Sequence, residues 1–196
     1  MLCLLAGTYE VNAKVQPELA GGKVRLVPLS DEHLAKSLEW VNDPYIMSTV
    51  LRVTPVTWED QRRWYAAILS DPAKMVYAIL RAGDGIHIGN TGLYHLDLTH
   101  RRAEFWIYLG DQDSRGTGAA SETLTLMKAL AFEHLGLTKL YLHVGLDNMP
   151  ARCLYTRHGF KKEGVLRHHY IIDSKPVDIV VMSQLENEYD HESHTT

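Results

Sequence analysis

The stretch QDSRGTGAASE, residues 112–122, joins a strand-like run to a long apolar helix and decides which fold we expect. The first turn of a helix has unpaired N–H groups, and the helix dipole adds partial positive charge there. Gly116 and Gly118 remove the Cβ atoms that would keep an anion away from the backbone. A strand, a glycine-containing turn and a helix N-terminus together predict a phosphate-binding site, to which Arg115 would add a charge-assisted contact. The same pattern is also compatible with an ordinary tight turn.

Two better-known phosphate-binding loops fit this stretch poorly. The dinucleotide fingerprint G-x-G-x-x-G has a third glycine that is missing here, and no acidic residue ends the next strand at the usual distance. The lysine of a Walker-type loop is missing too. The sequence therefore argues against Rossmann and P-loop folds.

The pattern around the loop predicts a mixed α/β domain with helices on the faces of its sheet. Helical spacing of apolar residues predicts helices at 31–41, 57–69, 119–135 and 150–157. Alternation of apolar and polar residues predicts strands at 24–28, 75–82, 86–98, 104–109, 140–144, 165–172 and 177–183. In the helix at 119–135, the residues expected to form a buried stripe are Ala120, Leu124, Met127 and Ala131.

The length and the charge of the chain limit the kinds of partner that we expect. The 196 residues suit one domain, which we place at 23–185 between a mobile N-terminal segment at 1–22 and an acidic disordered tail at 186–196. Four of the 24 acidic residues lie in that tail, so the remaining body is close to neutral despite a net charge of −4. A neutral body argues against nucleic acid as the main partner, but not against a small phosphorylated ligand.

Cysteine content and the first residues favour a cytoplasmic protein. Cys3 and Cys153 do not make a disulfide framework in a chain of this length. The opening run MLCLLAG is too short to span a membrane and has no basic residues before it. We therefore expect no membrane partner. A homodimer is compatible with the sequence, although no motif indicates one.

Residues 103–168 resemble the GNAT superfamily of acyl-CoA-dependent N-acetyltransferases. Within it they are most similar to the branch of ribosomal-protein N-terminal, spermidine and amino-sugar acetyltransferases. The motifs that carry the resemblance are the R-G-x-G-A turn at 115–119, the Asn-x-x-Ala-x-x-x-Tyr run from 148 to 155, and the Gly-Phe pair at 159–160. The resemblance extends loosely over 23–185. It implies one mixed α/β domain with a mostly antiparallel sheet, acetyl-CoA as co-substrate, and acetyl transfer to a primary amine.

The resemblance also implies how coenzyme A would bind. The turn would hold its pyrophosphate on backbone N–H groups of Arg115, Gly116, Thr117, Gly118, Ala119 and Ala120. The pantetheine arm would follow the preceding strand, at Ile107, Tyr108 and Leu109, where two strands separate. Asn148 would cap the short helix and contact the pantetheine, while Ala151 would leave it room.

Two residues are expected to carry the chemistry on the same grounds. Tyr155 would donate a proton to the departing thiolate, because a phenol is protonated at neutral pH. Glu104 would take a proton from the amine, directly or through water. Their alternative roles are those of a core aromatic residue and a salt-bridged strand residue.

The acceptor is left open by the sequence. The expected pocket-forming loop at 42–57 has four aromatic residues and an arginine in or near it, which suit a nucleotide-linked amino sugar: Trp40, Tyr45, Arg52, Trp58 and Trp64. A polyamine would need a carboxylate cluster, for which the candidates are Glu39, Asp43, Glu59 and Asp60. A protein N-terminus, or a non-catalytic role as an acyl-CoA-binding module, are the alternatives. The adjacent His168 and His169 face opposite ways in a strand and the other histidines have no ligand spacing, so no metal is expected.

Overall fold

The computed structural model describes residues 16–190, and the folded part extends past both predicted domain boundaries. Most of the predicted mobile segment at 1–22 lies outside the described residues, as does 191–196 of the predicted tail. Strand β1 (Leu19–Ala20) already pairs antiparallel with strand β2 (Val24–Pro28). The ordered domain therefore begins ahead of residue 23.

The predicted disordered tail also begins too early at 186. A 3₁₀ turn at Glu186–Glu188 leads to Tyr189, whose ring is only 5% exposed. This ring lies 4.9 Å from that of Phe132, and its hydroxyl donates to Glu133 Oε1 over 2.6 Å. Burial of an aromatic side chain stabilises a fold by about 1.5–3 kcal/mol, which explains why order continues beyond residue 185 despite the acidic composition.

The helices and strands follow the predicted order. After a 3₁₀ turn at Asp31–His33, the helices are α1 (Leu34–Val41), α2 (Pro44–Thr49), α3 (Trp58–Ser70), α4 (Ala119–Ala129) and α5 (Met149–Arg157). The further strands are β3 (Met75–Arg81), β4 (His87–Asp97), β5 (Arg102–Leu109), β6 (Lys139–Gly145), β7 (Lys161–Ile172) and β8 (Lys175–Leu185).

Helices α2 and α4 differ from the sequence prediction. Helix α2 was not predicted, although Asp43 caps it by accepting from the N–H groups of Tyr45 and Ile46, and Pro44 occupies its first turn. Helix α4 is shorter than the predicted 119–135, because its last part at Leu130–His134 winds as a π-helical turn.

As predicted, the strands form one mostly antiparallel sheet, and their order is β1-β2-β3-β4-β5-β6-β8-β7. The parallel pair is β5 and β6, which α4 connects, as a crossover of this kind requires. Leu124 and Met127 of α4 and Ala131 of the π-helical turn are buried in the core, whereas Ala120 of the predicted stripe is half-buried.

Helices cover both faces of the sheet, so its central strands are buried on each side. On β3, the face with Met75, Tyr77 and Ile79 packs in the large cluster that includes α4. The opposite face, with Val76, Ala78 and Leu80, packs under Leu34 of α1 and Ile68 of α3. This layering leaves the separation between β5 and β6 as an opening into the sheet.

Candidate active site

The two parallel strands separate shortly after they begin. In the described part of the chain, their ladder consists of Arg102, Ala103 and Glu104 against Lys139, Leu140 and Tyr141. Beyond this point, β5 keeps its pairing with β4 as far as Leu109, and β6 keeps its pairing with β8 as far as Gly145. The edge of β5 beyond Glu104 therefore faces a wedge-shaped opening, as the sequence analysis expected for Ile107, Tyr108 and Leu109.

The opening forms part of a cavity of about 720 Å³ that runs between the two sheet halves. This volume lies within the range of small-molecule and cofactor sites. The cavity joins the glycine loop to the helix α5 and to the aromatic region beneath α2 and α3. The predicted site residues that line it are Glu104, Ile107, Tyr108, Leu109, Arg115, Gly116, Gly118, Ala120, Asn148, Ala151 and Tyr155. Thr117 and Ala119 belong to the same loop.

The backbone of the loop is arranged to accept an anion. Gly116 and Gly118 have φ angles of 75° and 92°, in the left-handed region that favours glycine. Within residues 16–190, no hydrogen bond joins the N–H groups of Gly116, Thr117, Gly118, Ala120 or Ser121 to a protein acceptor, whereas those of Arg115 and Ala119 are used. A row of unpaired amides at a helix N-terminus fits the diphosphate of coenzyme A.

The Arg115 side chain lies along the turn that precedes it. Its guanidinium donates to the carbonyl oxygens of Leu109 (3.3 Å) and Gly110 (3.1 Å). It also lies 4.1 Å from the centre of the Tyr45 ring. These bonds connect the guanidinium to the end of β5 and to the turn that follows it.

Helix α5 places Tyr155 and Asn148 on the cavity wall. Asn148 caps the helix, as predicted, and its Oδ1 accepts from the N–H of Ala151 over 3.2 Å. Tyr155 is 7% exposed and packs between the rings of Phe105 (6.3 Å) and Phe160 (5.9 Å). Burial raises the pKa of the Tyr155 phenol, so its hydroxyl keeps its proton across neutral pH. That hydroxyl makes no hydrogen bond within the part of the chain that the structure describes.

Glu104 lies between two imidazole rings that the sequence analysis did not connect with it. Its Oε1 is 2.8 Å from Nδ1 of His143, and its Oε2 is 2.9 Å from Nδ1 of His95. The side chain is 20% exposed, whereas that of His95 is 72% exposed and that of His143 is 32% exposed. The carboxylate therefore belongs to a network and is not an isolated group on the strand.

The aromatic end of the cavity lies next to Glu104. Trp64 of α3 donates its indole N–H to the hydroxyl of Tyr94 over 3.0 Å, and the Tyr94 ring lies 5.3 Å from Trp106. Arg52 extends from the loop that follows α2 to line the same end. Of the predicted aromatic and arginine lining, Tyr45, Arg52 and Trp64 border the cavity, and Tyr45 also contacts Arg115.

The carboxylates named for a polyamine site do not come together. Glu39 pairs with Lys36, and Glu59 and Asp60 pair with Arg63. Asp43 is used as the cap of α2. Of these four, Asp60 reaches the cavity lining, and it also closes the capping box of α3. Helix caps and neighbouring cations therefore use these candidate carboxylates locally.

Residues 16–190 have neither a metal-binding cluster nor a membrane-spanning helix. No three His, Cys, Asp or Glu side chains there lie close enough to hold a metal ion. None of the helices in the same range is both long and apolar enough to cross a membrane.

A splayed parallel pair, a loop of unpaired amides and a tyrosine at the head of the opening define an acyl-CoA-dependent transferase. The chain matches the family model of the acetyltransferase (GNAT) domain over residues 23–161. It belongs to that family, and it is an N-acyltransferase that uses acetyl-CoA.

Individual relatives support the family at the level of whole chains. Spermidine N(1)-acetyltransferase of Vibrio cholerae serotype O1 is 27% identical over 150 residues, which are 76% of this chain and 80% of the relative. The protein named Putative ribosomal N-acetyltransferase YdaF, of Bacillus subtilis (strain 168), is 25% identical over 190 residues, covering 94% and 98%. The crystal structure of spermidine N-acetyltransferase from Vibrio cholerae in complex with CoA and spermine superposes with a TM-score of 0.81 at 27% identity, covering 86% of this chain and 99% of the other.

Proposed function

We propose that the protein acetylates the primary amine of a small molecule, with Tyr155 as the acid and Glu104 as the group that receives the proton of the amine. The observation that carries this proposal is the course of the cavity, which connects the unpaired amides of the glycine loop with the hydroxyl of Tyr155 and with Glu104. A thioester carrier bound along β5 would present its carbonyl between these two side chains.

The residues of the loop would hold the coenzyme by its phosphates. Backbone N–H groups at Gly116, Thr117, Gly118 and Ala120 offer donors that the protein itself does not use within the described residues. Asn148 and Ala151 would border the pantetheine arm from α5. The coenzyme supplies an activated thioester, and the protein supplies the alignment of that thioester with the amine.

Tyr155 suits the role of acid at the sulfur. A thiolate that leaves a thioester needs a hydrogen-bond donor or a proton. The surroundings of Tyr155 are apolar, and burial raises its pKa, so the phenol arrives at the reaction in its protonated form. A free hydroxyl in this place gains a partner when the sulfur arrives.

The acceptor class is a small amine, for which polyamines are the first compounds to test because the relatives named above act on spermidine or bind spermine. The charged side chains at the acceptor end are mixed, with Glu104 and Asp60 facing Arg52. Aromatic walls from Trp64, Tyr94 and Trp106 suit an acceptor that has apolar or ring surfaces beside its amine.

A protein N-terminus is the second candidate. The similarity to the named ribosomal enzyme covers nearly the whole of both chains. An extended peptide would also find unpaired strand edges where β5 and β6 separate.

The test is thiol release from acetyl-CoA with a panel of spermidine, an amino-sugar nucleotide and N-terminal peptides. We expect acceptor-dependent release with at least one small amine, at a kcat/KM well above that for peptides. Release with peptides alone would favour the second candidate. A thermal shift with coenzyme A but no release with any acceptor would show a non-catalytic binding module instead.

Location and assembly are further parts of the proposal. We place the protein in the cytoplasm because its two cysteines do not form a disulfide framework. Cell fractionation tests this placement. Sedimentation of the purified protein tests the homodimer that the sequence leaves open.

A further inference from the structure

The network around Glu104 is asymmetric, and this asymmetry indicates a further catalytic residue. His143 and His95 each place Nδ1 within 2.9 Å of one oxygen of the carboxylate. His143 lines the cavity together with Glu104, whereas the side chain of His95 is mostly in solvent. The two histidines therefore have the same partner but face different surroundings.

The position of His143 follows from the sheet. Glu104 pairs with Tyr141 in the last rung before β5 and β6 separate, so both side chains point to the same face. His143 is two residues further along β6 and points to that face as well. Its ring thus lies at the point where the opening begins, within reach of the carboxylate on the other strand.

Aromatic neighbours hold the ring of His143 in one plane. The ring of His169, from β7, is nearly parallel to it at 6.5 Å and 12°. Tyr141 packs against it edge-on at 5.9 Å and 87°. The titratable groups around the imidazole are therefore Glu104 from β5, Tyr141 on its own strand and His169 from β7, and His95 of β4 reaches it through Glu104.

The hydrogen bond to Glu104 determines which nitrogen of His143 is available. An ionised carboxylate only accepts hydrogen bonds, so Nδ1 must carry the hydrogen in that contact. In the neutral ring, Nε2 then has a free lone pair. No hydrogen bond from Nε2 of His143 is made within residues 16–190, and the ring borders the cavity.

We propose that His143 is the general base of the acetyl transfer and that Glu104 is the positioning residue that orients its ring. This inference rests on the proposed function and deepens it, because it replaces Glu104 as the group that receives the proton. Both carboxylate oxygens of Glu104 already accept from imidazole rings, whereas Nε2 of His143 is unused.

His143 and Tyr155 each carry one proton transfer of the reaction. An acceptor amine enters as an ammonium ion and transfers one proton to Nε2 of His143, which later passes it to solvent. The free nitrogen forms a C–N bond with the acetyl carbonyl carbon, and the C–S bond breaks. Tyr155 gives its proton to the departing sulfur, and the second proton that the nitrogen loses restores the phenol. The products are the amide, the free thiol and one released proton.

The experiment compares two matched substitutions, His143→Asn and His95→Asn. The amide nitrogen of an asparagine lies where Nδ1 of histidine lies, so His143→Asn can keep the bond to Glu104 while it removes Nε2. We expect kcat of His143→Asn to fall about 10²-fold or more, as for the loss of a general base, with the Kd of coenzyme A unchanged. His95→Asn should change kcat less than about fivefold, because its contact is exposed.

The pH profile supplies the readout that a structural role would not change. The kcat/KM of the wild type should fall on the acid side, and this limb should be absent or displaced in His143→Asn. Added imidazole should restore part of the activity of the variant.

The outcomes separate this inference from the proposed function. An active wild type with His143→Asn within about fivefold of it, and with the same acid limb, would overturn the base role alone. Equal losses in His143→Asn and His95→Asn would also overturn it, since they would point to the carboxylate network as a whole. A wild type that acetylates no amine would overturn the proposed function and the base role together.

Discussion

The ammonium group of Lys23 donates to the carbonyl oxygen of Thr117 over 2.7 Å, which ties the start of β2 to the glycine loop. The carboxylate of Glu122 strengthens this connection, because it accepts from the N–H groups of Gly22 (3.0 Å), Lys23 (2.6 Å) and Val24 (2.7 Å). The first turn of α4 thus holds the N-terminal strands, and the strands in turn hold the loop that is proposed to bind the coenzyme.

Glu122→Gln should destabilise the protein. An amide offers one acceptor oxygen in place of two and turns an N–H group toward backbone donors. Hydrogen bonds to charged groups contribute about 1.5–3 kcal/mol each, so we expect the free energy of unfolding to fall by about that amount. Urea unfolding measures it. Glu59→Gln, which removes only an exposed pair with Arg63, is the control, and an equal effect in the two variants would contradict this account.

Gly118→Ala should weaken coenzyme A binding. Its φ of 92° is strained for an L-residue, and an added Cβ would lie 2.7 Å from Nζ of Lys23. The Lys23 ammonium must then move, and the strain at this φ falls on the amides of the loop, so we expect the Kd of coenzyme A to rise about tenfold or more. Isothermal titration calorimetry measures this change.

Two other glycines make that test sharper. Gly116→Ala has the unfavourable φ of 75° but open space around the new Cβ, so it should weaken binding less. Gly83→Ala has open space and no positive φ, and it should leave the Kd unchanged. A Gly118→Ala variant with the wild-type Kd would place the diphosphate elsewhere.

Tyr155→Phe should lower kcat about 10²- to 10⁴-fold, which is the usual range for loss of a general acid, while the Kd of coenzyme A stays the same. The matched control is Tyr77→Phe, because the Tyr77 hydroxyl is buried in the sheet and makes no hydrogen bond within the described residues. Steady-state kinetics of the two variants should differ sharply. Near wild-type kcat in Tyr155→Phe would remove the phenol from the mechanism.

Asp60 should make stability depend on acid pH. The hydroxyl and the N–H of Thr57, together with Arg63, lower its pKa from 3.8 to about 2. Because the folded-state pKa is the lower one, the contribution is fully present above pH 3.8 and is lost as the pH falls toward 2. Wild type and Asp60→Asn should therefore differ in Tm at pH 7 and converge near pH 2.

The control for this prediction is Asp113→Asn. Asp113 is exposed, and within residues 16–190 its side chain makes no hydrogen bond or ion pair. Its substitution should leave the Tm unchanged at both pH values. A difference between wild type and Asp60→Asn that persists at pH 2 would show that the capping role does not depend on ionisation.

The fold was largely predictable because its signals are local. Alternating apolar and polar residues indicate β5, and apolar residues at helical spacing indicate α4. The glycine loop between them has residues that suit few other structures. The π-helical turn at Leu130–His134 has no such signal, because its residues continue the helical pattern. Tyr189 stabilises the C-terminal end by packing against Phe132, which is 57 positions away in the sequence. The acidic composition around Tyr189 gives no sign of this contact.

The site was predictable in its backbone but not in its side-chain pairing. Motif residues fix the loop, Asn148 and Tyr155, which all line the cavity. The partners of Glu104 are 9 and 39 positions away, so only the register of the sheet reveals them. The guanidinium of Arg115 donates to backbone carbonyls of its own turn, and its contact with the phosphates stays a prediction.

The most direct test of the account is a crystal structure of the protein with coenzyme A. We predict that the diphosphate oxygens lie within hydrogen-bond distance of the N–H groups of residues 116–120, and that the sulfur lies within reach of the Tyr155 hydroxyl. A coenzyme with its phosphates away from this loop, or with its sulfur on a different wall of the cavity from Tyr155, would contradict the account.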